Sequence, residues 1–188
     1  MLNTFVVYVE NKPGVLTRVA SLFRRRAFNI DSLTVGRTEK PEVSRMTIVV
    51  DADRDQAIRV EANLYKLVNV LFVENITGKF SVSRDLAMIK VSATHGSRSD
   101  VLKLVDVFRA RVVDVSPESL TIEITGPEAK IDGLLEVLRP YGILEMVRTG
   151  VVAMRRGASK PDEAATVPSA TDNGAGTIAA DDNISYSV

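Results

Sequence analysis

Phe5-Val6-Val7-Tyr8-Val9-Glu10-Asn11-Lys12-Pro13-Gly14-Val15-Leu16 changes its periodicity at a Pro-Gly pair, and that change sets the frame for the rest of the chain. Residues 3 to 10 form a β-rich run, whereas Val15, Leu16, Val19, Leu22 and Phe23 have helical spacing. Arg24-Arg25-Arg26 closes that helix, where cations complement the carbonyl end of the dipole and stay solvated. Pro13 biases Lys12 toward extended backbone and suits a first helical turn, while Gly14 lets backbone come close to a docked group. The helix therefore starts inside the loop. Its first N–H groups have no acceptor within the helix and sit at the positive end of the dipole, so a small carboxylate is a natural guest. The Asn11 carboxamide, with both a donor and an acceptor, can complete such a site.

Working outward, Phe28 to Val35 and Ser44 to Val50 read as a hairpin around a polar turn containing Pro41. A helix is expected from the Asp51-Ala52-Asp53 region, with Ala57, Val60, Leu64 and Leu67 on one face, and Val68 to Ile76 returns as a strand. The order is β-α-β-β-α-β. It repeats: a strand at Ala87 to Ala93, then a helix after Ser99 and Asp100 carrying Val101, Leu104, Val105 and Phe108. Arg111 to Val115 and Leu120 to Thr125 make a second hairpin around Ser116-Pro117-Glu118-Ser119, with Leu120, Ile122 and Ile124 alternating against Thr121, Glu123 and Thr125. Gly126-Pro127 opens a fourth helix, with Ile131, Leu134, Leu135 and Leu138 inward, and Pro140-Tyr141-Gly142 ends it. Ile143 to Met154 closes the unit as a strand. The expected fold is α+β: two tandem ferredoxin-like βαββαβ modules, residues 1–80 and 84–157, each a sheet with helices on one face. Residues 158–188 shift to Ala, Ser, Thr, Asp, Asn, Gly and Pro, a composition expected of a disordered tail. Modules this small gain little stability from one core, and side-by-side pairing of two protomers would protect the sheet edges.

Composition narrows function. Lys plus Arg equals Asp plus Glu at 24 each, which argues against a nucleic-acid partner or an acidic membrane surface. With no cysteine, disulfides, thiolate nucleophiles and zinc-thiolate sites are excluded, and a cytoplasmic location is expected. The start of the chain lacks the basic region and apolar core of a secretory signal, and no apolar stretch approaches a membrane span. In Asp51-Ala52-Asp53-Arg54-Asp55, Gln56 stands where a calcium loop needs Gly and Ala62 where it needs Glu, leaving helix capping as the reading. His95 is the only histidine, in a polar loop, so no metal site and no catalytic residues are expected.

Asn29-Ile30-Asp31-Ser32-Leu33-Thr34-Val35-Gly36 and Ser44-Arg45-Met46-Thr47-Ile48, together with the Pro-Gly loop, resemble the ACT domain of the small regulatory subunit of acetohydroxyacid (acetolactate) synthase. The resemblance continues through Lys66 to Leu71, Arg84 to Val91, Val112 to Pro117, Arg139-Pro140-Tyr141-Gly142-Ile143 and Arg148-Thr149-Gly150, covering residues 1 to 157. It implies a non-catalytic chain in valine, leucine and isoleucine biosynthesis that activates a large catalytic subunit and confers feedback inhibition by valine. The chain itself carries no cofactor; thiamine diphosphate, Mg²⁺ and FAD belong to the partner. The resemblance also implies a homodimer with valine held between two ACT domains. Asn11, Gly14, Val15 and Leu16 come from one protomer's loop, and Asn29 and Ile30 from across the interface, with Val9 and Val35 as apolar walls. Where this family commonly has Gly, the present chain has Ala27, which is strained if that backbone needs positive φ. The alternative is a free-standing ACT-domain amino-acid sensor acting on another enzyme or regulator.

Overall fold

In the computed structural model, which describes residues 1–157, the β-rich run at the N-terminus becomes a central strand. β1 (Leu2–Glu10) lies between β3 (Val43–Asp51) and β4 (Val70–Asn75), and β2 (Ile30–Arg37) lies outside β3, giving the antiparallel order β2-β3-β1-β4. Phe5, Val7 and Val9 of β1 share a face with Met46, Ile48 and Val50 of β3, and all six are buried. α1 (Val15–Arg25) packs on this face through Val15, Val19, Leu22 and Phe23, and α2 (Arg54–Leu64) through Ala57, Val60 and Leu64. The acidic run before α2 is a helix start. Gln56 donates its N–H to Asp53 Oδ1 at 2.8 Å, and Asp53 donates its own to Gln56 Oε1 at 2.9 Å, a reciprocal capping box. Leu67, expected on the helix, instead lies past its end and packs against the core from the turn.

The second sheet repeats the plan. β5 (Ser81–Ser92), α3 (Arg98–Val107), β6 (Arg111–Val115), β7 (Ser119–Gly126), α4 (Glu128–Leu138) and β8 (Ile143–Arg148) give the order β6-β7-β5-β8. Ala87, Ile89 and Val91 join Leu120, Ile122 and Ile124 under Val101, Val105, Ile131, Leu134 and Leu138 of the two helices. The fold is α+β, two ferredoxin-like units in tandem.

The stretch Ile143 to Met154 departs from the single strand expected. It breaks at Thr149-Gly150-Val151, and β9 (Val152–Arg155) pairs with Ser81 to Arg84 at the start of β5. Gly150 has φ +85°, and a Cβ there would stand 2.5 Å from Ser32 Oγ, so both conformation and space call for glycine. Asp85, 4% exposed, holds the break. Its carboxylate accepts from Arg148 Nε at 2.8 Å and from Thr149 Oγ1 at 3.1 Å, and Arg148 also donates to Asp132 at 2.9 Å. Burial works against the charge on Arg148, but its contacts with Asp85 and Asp132 outweigh that penalty and raise its pKa, so the guanidinium stays charged.

This turn carries the chain back onto the first sheet. Ala153 packs with Val6 and Ile76 on the face away from α1 and α2, with Tyr8 and Val151 at its border. Arg45 on that face donates to the Ala153 carbonyl, to Tyr8 Oη at 3.3 Å and to Thr47 Oγ1 at 3.2 Å. Arg155 reaches Glu74 at 3.0 Å. The sheet face without helices is thus partly covered by the chain's own β9. The segment read as a tail, 158–188, lies outside the described residues.

Candidate functional site

The Pro-Gly loop leaves the end of the central strand β1 and turns directly into α1. Asn11 donates its N–H to the Glu42 carbonyl at 2.7 Å and its Nδ2 to the Pro41 carbonyl at 2.8 Å, tying the loop to the β2–β3 turn. Gly14 has φ 81° and ψ −8°, the values of the third position in a type II turn, whose second position favours proline. Pro13 therefore lies in the turn ahead of the helix rather than in its first turn, and Val15 N–H reaches back to the Lys12 carbonyl at 3.4 Å.

The helix start is uncapped and unopposed. No side chain caps α1 and its first turn contains no acidic residue. Arg18 is the first to bond back across the turn, to the Gly14 carbonyl at 3.0 Å, and among the described residues the Leu16 and Thr17 N–H groups find no acceptor. A Cβ added at Gly14 would meet nothing within 4 Å, so the approach to these donors is open. The Leu16 and Thr17 N–H groups thus stand unpaired at the positive end of an eleven-residue helix, an arrangement chemically suited to a carboxylate. Asn11 Oδ1 takes no hydrogen bond from the described residues and remains an acceptor beside it.

The loop is braced by residues that sequence reasoning did not single out for the site. Asn69 accepts the Glu10 N–H at 2.9 Å, donates from Nδ2 to the Glu10 carboxylate and accepts from Arg18. That hydrogen bond from Asn69, aided by Lys12 at 3.2 Å, holds the Glu10 carboxyl below the usual range, so it stays ionised and balances the cations here. No local pattern signals Asn69, which is 59 residues from Glu10.

Around the loop, Val15 is buried, Leu16 is 44% exposed and Val35 is 42% exposed near the same end of the sheet. Val9 faces the core and is 1% exposed, so its side chain supports the loop from below and does not line an open surface. Asn29 and Ile30 are elsewhere. Ile30 pairs with Val50, at the opposite end of β3 from Val43 and Glu42, where Asn11 is tied. Seven residue steps along a strand separate the two groups by roughly 23 Å. Within one chain, Asn11, Gly14, Val15 and Leu16 come together, and Asn29 with Ile30 does not join them. Asn29 is exposed and makes no side-chain hydrogen bond among the described residues.

Ala27, just before this second group, has φ +56°. The left-handed conformation costs an L residue roughly 1–2 kcal/mol. Ala27→Gly is therefore expected to raise unfolding stability by about 0.5–1 kcal/mol after allowing for the greater unfolded-state entropy of glycine. Urea unfolding of the two proteins side by side measures it, and a midpoint shift to lower urea would contradict it.

β2 connects the second group to the other module. Ser32 Oγ accepts the Val151 N–H at 3.0 Å, and Thr34 Oγ1 donates to the Thr149 carbonyl at 3.3 Å. Among the described residues no cluster of three or more His, Cys, Asp or Glu side chains is placed to hold a metal ion, and no helix is long and apolar enough to cross a membrane.

Residues 5–72 match the family described as the AHAS small subunit-like ACT domain, and residues 84–157 match the family described as the small subunit of acetolactate synthase. An acetolactate synthase small subunit from Mycobacterium bovis is 53% identical over 155 residues, which is 82% of this chain and 92% of the relative. A probable acetolactate synthase small subunit from Archaeoglobus fulgidus is 51% identical over 160 residues, 85% of this chain and the whole of the relative. The crystal structure of an acetolactate synthase small subunit from Thermotoga maritima superposes with a TM-score of 0.79 at 38% identity, covering 85% of this chain and 99% of that one.

Proposed function

The chain belongs to the family of acetolactate synthase small subunits, and on that premise we propose that it is the valine-sensing regulatory subunit of an acetolactate synthase in branched-chain amino acid biosynthesis. The observation that carries this reading is the uncapped start of α1 behind Gly14, with open access and no competing carboxylate in its first turn. Valine's carboxylate takes the N–H groups of that turn, and its ammonium group is met by the carboxamide oxygens of Asn11 and Asn29. Leu16 and Val35, both partly exposed, take the isopropyl group.

Because Asn29 and Ile30 lie a strand's length from the loop in one chain, the complete site is formed by two protomers of a homodimer. One supplies Asn11, Gly14, Val15 and Leu16, and the other Asn29 and Ile30. A methylene more or less in an apolar pocket changes binding by roughly 1–3 kcal/mol, so leucine and isoleucine act at higher concentrations. The large catalytic subunit carries thiamine diphosphate, Mg²⁺ and FAD, and this chain performs no chemistry. Strand β2 provides the mechanical route, since its first residue belongs to the effector site and its Ser32 and Thr34 grip residues 149–151 of the second module. A coupling of about 1–3 kcal/mol between effector and catalytic partner suffices for regulation.

Reconstitution tests it. Adding this chain to the purified catalytic subunit is expected to raise acetolactate formation, and valine to lower it only in the mixture. An unchanged rate on mixing would point to a sensor with another target.

A further inference from the structure

Along the exposed side of α1, facing the C-terminal end of α2, run two adjoining clefts with no assigned role. One, of about 450 Å³, is lined by Leu22, Arg25, Arg26, Asn63, Lys66 and Leu67. The other, of about 390 Å³, is lined by Thr17, Arg18, Ser21, Arg24, Arg25 and Leu67. Arg25 and Leu67 belong to both, so they form one groove with an apolar floor and a rim of five cations. Among the described residues, Arg24, Arg25, Arg26 and Lys66 make no ion pair with a carboxylate. The sequence reading of Arg24-Arg25-Arg26 as a complement to the helix dipole explains a basic last turn. It does not explain why Lys66, from another element, lines the same cleft.

The chain carries an acidic complement of its own. Residues 158–188 contain Asp162, Glu163, Asp172, Asp181 and Asp182 against Lys160 alone, and no arginine. The end of this segment, Asp181-Asp182-Asn183-Ile184-Ser185-Tyr186-Ser187-Val188, sets a carboxylate pair beside apolar residues at every second position. That pattern matches the groove, carboxylates for the rim and Ile184 or Tyr186 for the floor at Leu22 and Leu67. Length permits it. Gly157 to Asp181 spans 24 residues, a contour of up to about 80 Å. With strands about 4.8 Å apart and layers about 10 Å apart, the route from β9 round the edge of the four-stranded sheet to the helix layer is roughly 30–40 Å, within that contour.

We propose that the acidic C-terminal segment around Asp181-Asp182 docks in the basic groove formed by Arg24, Arg25, Arg26 and Lys66 between α1 and α2. The docking does not depend on valine, and it places the segment three residues from Asn29, through Arg26. Exposed ion pairs of this kind weaken with salt, because the screening length falls from about 10 Å at 0.1 M to about 3 Å at 1 M.

The absence of cysteine allows a clean test in the 188-residue chain. Ser185→Cys carries a single nitroxide label, and amide signals across the protein are read for paramagnetic broadening. At low salt, broadening is expected at Arg24 to Arg26 and Lys66 to Leu67, and weak effects are expected over β6 and β7. It should fall roughly tenfold at 1 M salt. The same loss should follow Asp181→Asn with Asp182→Asn, which leaves the folded body untouched, and Arg24→Gln with Arg25→Gln and Arg26→Gln. Broadening confined to the neighbourhood of Gly157, or broadening of the groove that survives both neutralised variants, would overturn the proposal and leave the groove to another anion.

Discussion

Gly14→Asp is expected to raise the valine needed for half-inhibition of the reconstituted enzyme about a hundredfold while leaving activation of the catalytic subunit in place. A side chain at position 14 meets open space, so the folded chain accommodates it without a clash. The backbone there is left-handed, which costs a non-glycine residue roughly 1–2 kcal/mol and leaves a domain of ordinary stability folded. The charge is what matters. An aspartate carboxylate at the mouth of α1 occupies the field meant for the effector's carboxylate and repels it. A loss of about 3 kcal/mol for that like-charge contact corresponds to a roughly hundredfold rise in half-inhibiting valine. Gly14→Asn isolates the cause, because Asn tolerates the same backbone and has nearly the same volume without the charge. It should shift inhibition by less than about tenfold. Equal losses in the two variants would mean that room, and not charge, governs the loop, and an unchanged response in the Asp variant would remove the site from α1 altogether.

The halves of this site were unequally legible. The loop was readable in part because its chemistry is local: the Pro-Gly pair marks where strand gives way to helix, although Pro13 falls in the turn ahead of α1 and not in its first turn. Gly14 adopts positive φ as a Pro-Gly turn requires, and Asp53 caps α2 as its spacing to Gln56 allows. Strand alternation was equally plain in β7, where Leu120, Ile122 and Ile124 are at most 1% exposed. What stayed hidden is contact between distant, mostly polar segments. Ser81-Val82-Ser83-Arg84 has no apolar stripe, yet it becomes the first part of β5 by pairing with β9 some 70 residues later. The break at Gly150 was invisible for the same reason. Leu144 and Met146 on one side, and Val152 and Met154 on the other, continue an apolar pattern, although all four are substantially exposed on edge strands. Asn69 is a third case, a polar residue whose value lies in reaching Glu10 and Arg18 across the sheet.

The separation of the two asparagines leads to the stronger prediction. Asn11→Ala and Asn29→Ala homodimers are each expected to lose most of their valine response, because each removes a polar partner for the effector's charged groups. Both side chains are exposed at opposite ends of the first sheet, so neither change should disturb the core. Co-assembly of the two variants should then bring the response back. In a mixed dimer with two-fold pairing, one site combines the mutated loop with the mutated β2 start, and the other combines the intact loop with the intact β2 start. Random mixing in equal amounts makes about half of the dimers mixed, and about a quarter of all sites intact. Partial inhibition at wild-type valine concentrations is the expected reading, and calorimetry should count the same fraction of binding sites. A site built within one protomer behaves differently, since every chain in the mixture then carries a defect and no pairing repairs it. The roughly 23 Å of strand between Asn11 and Asn29 makes that second outcome incompatible with a valine molecule touching both.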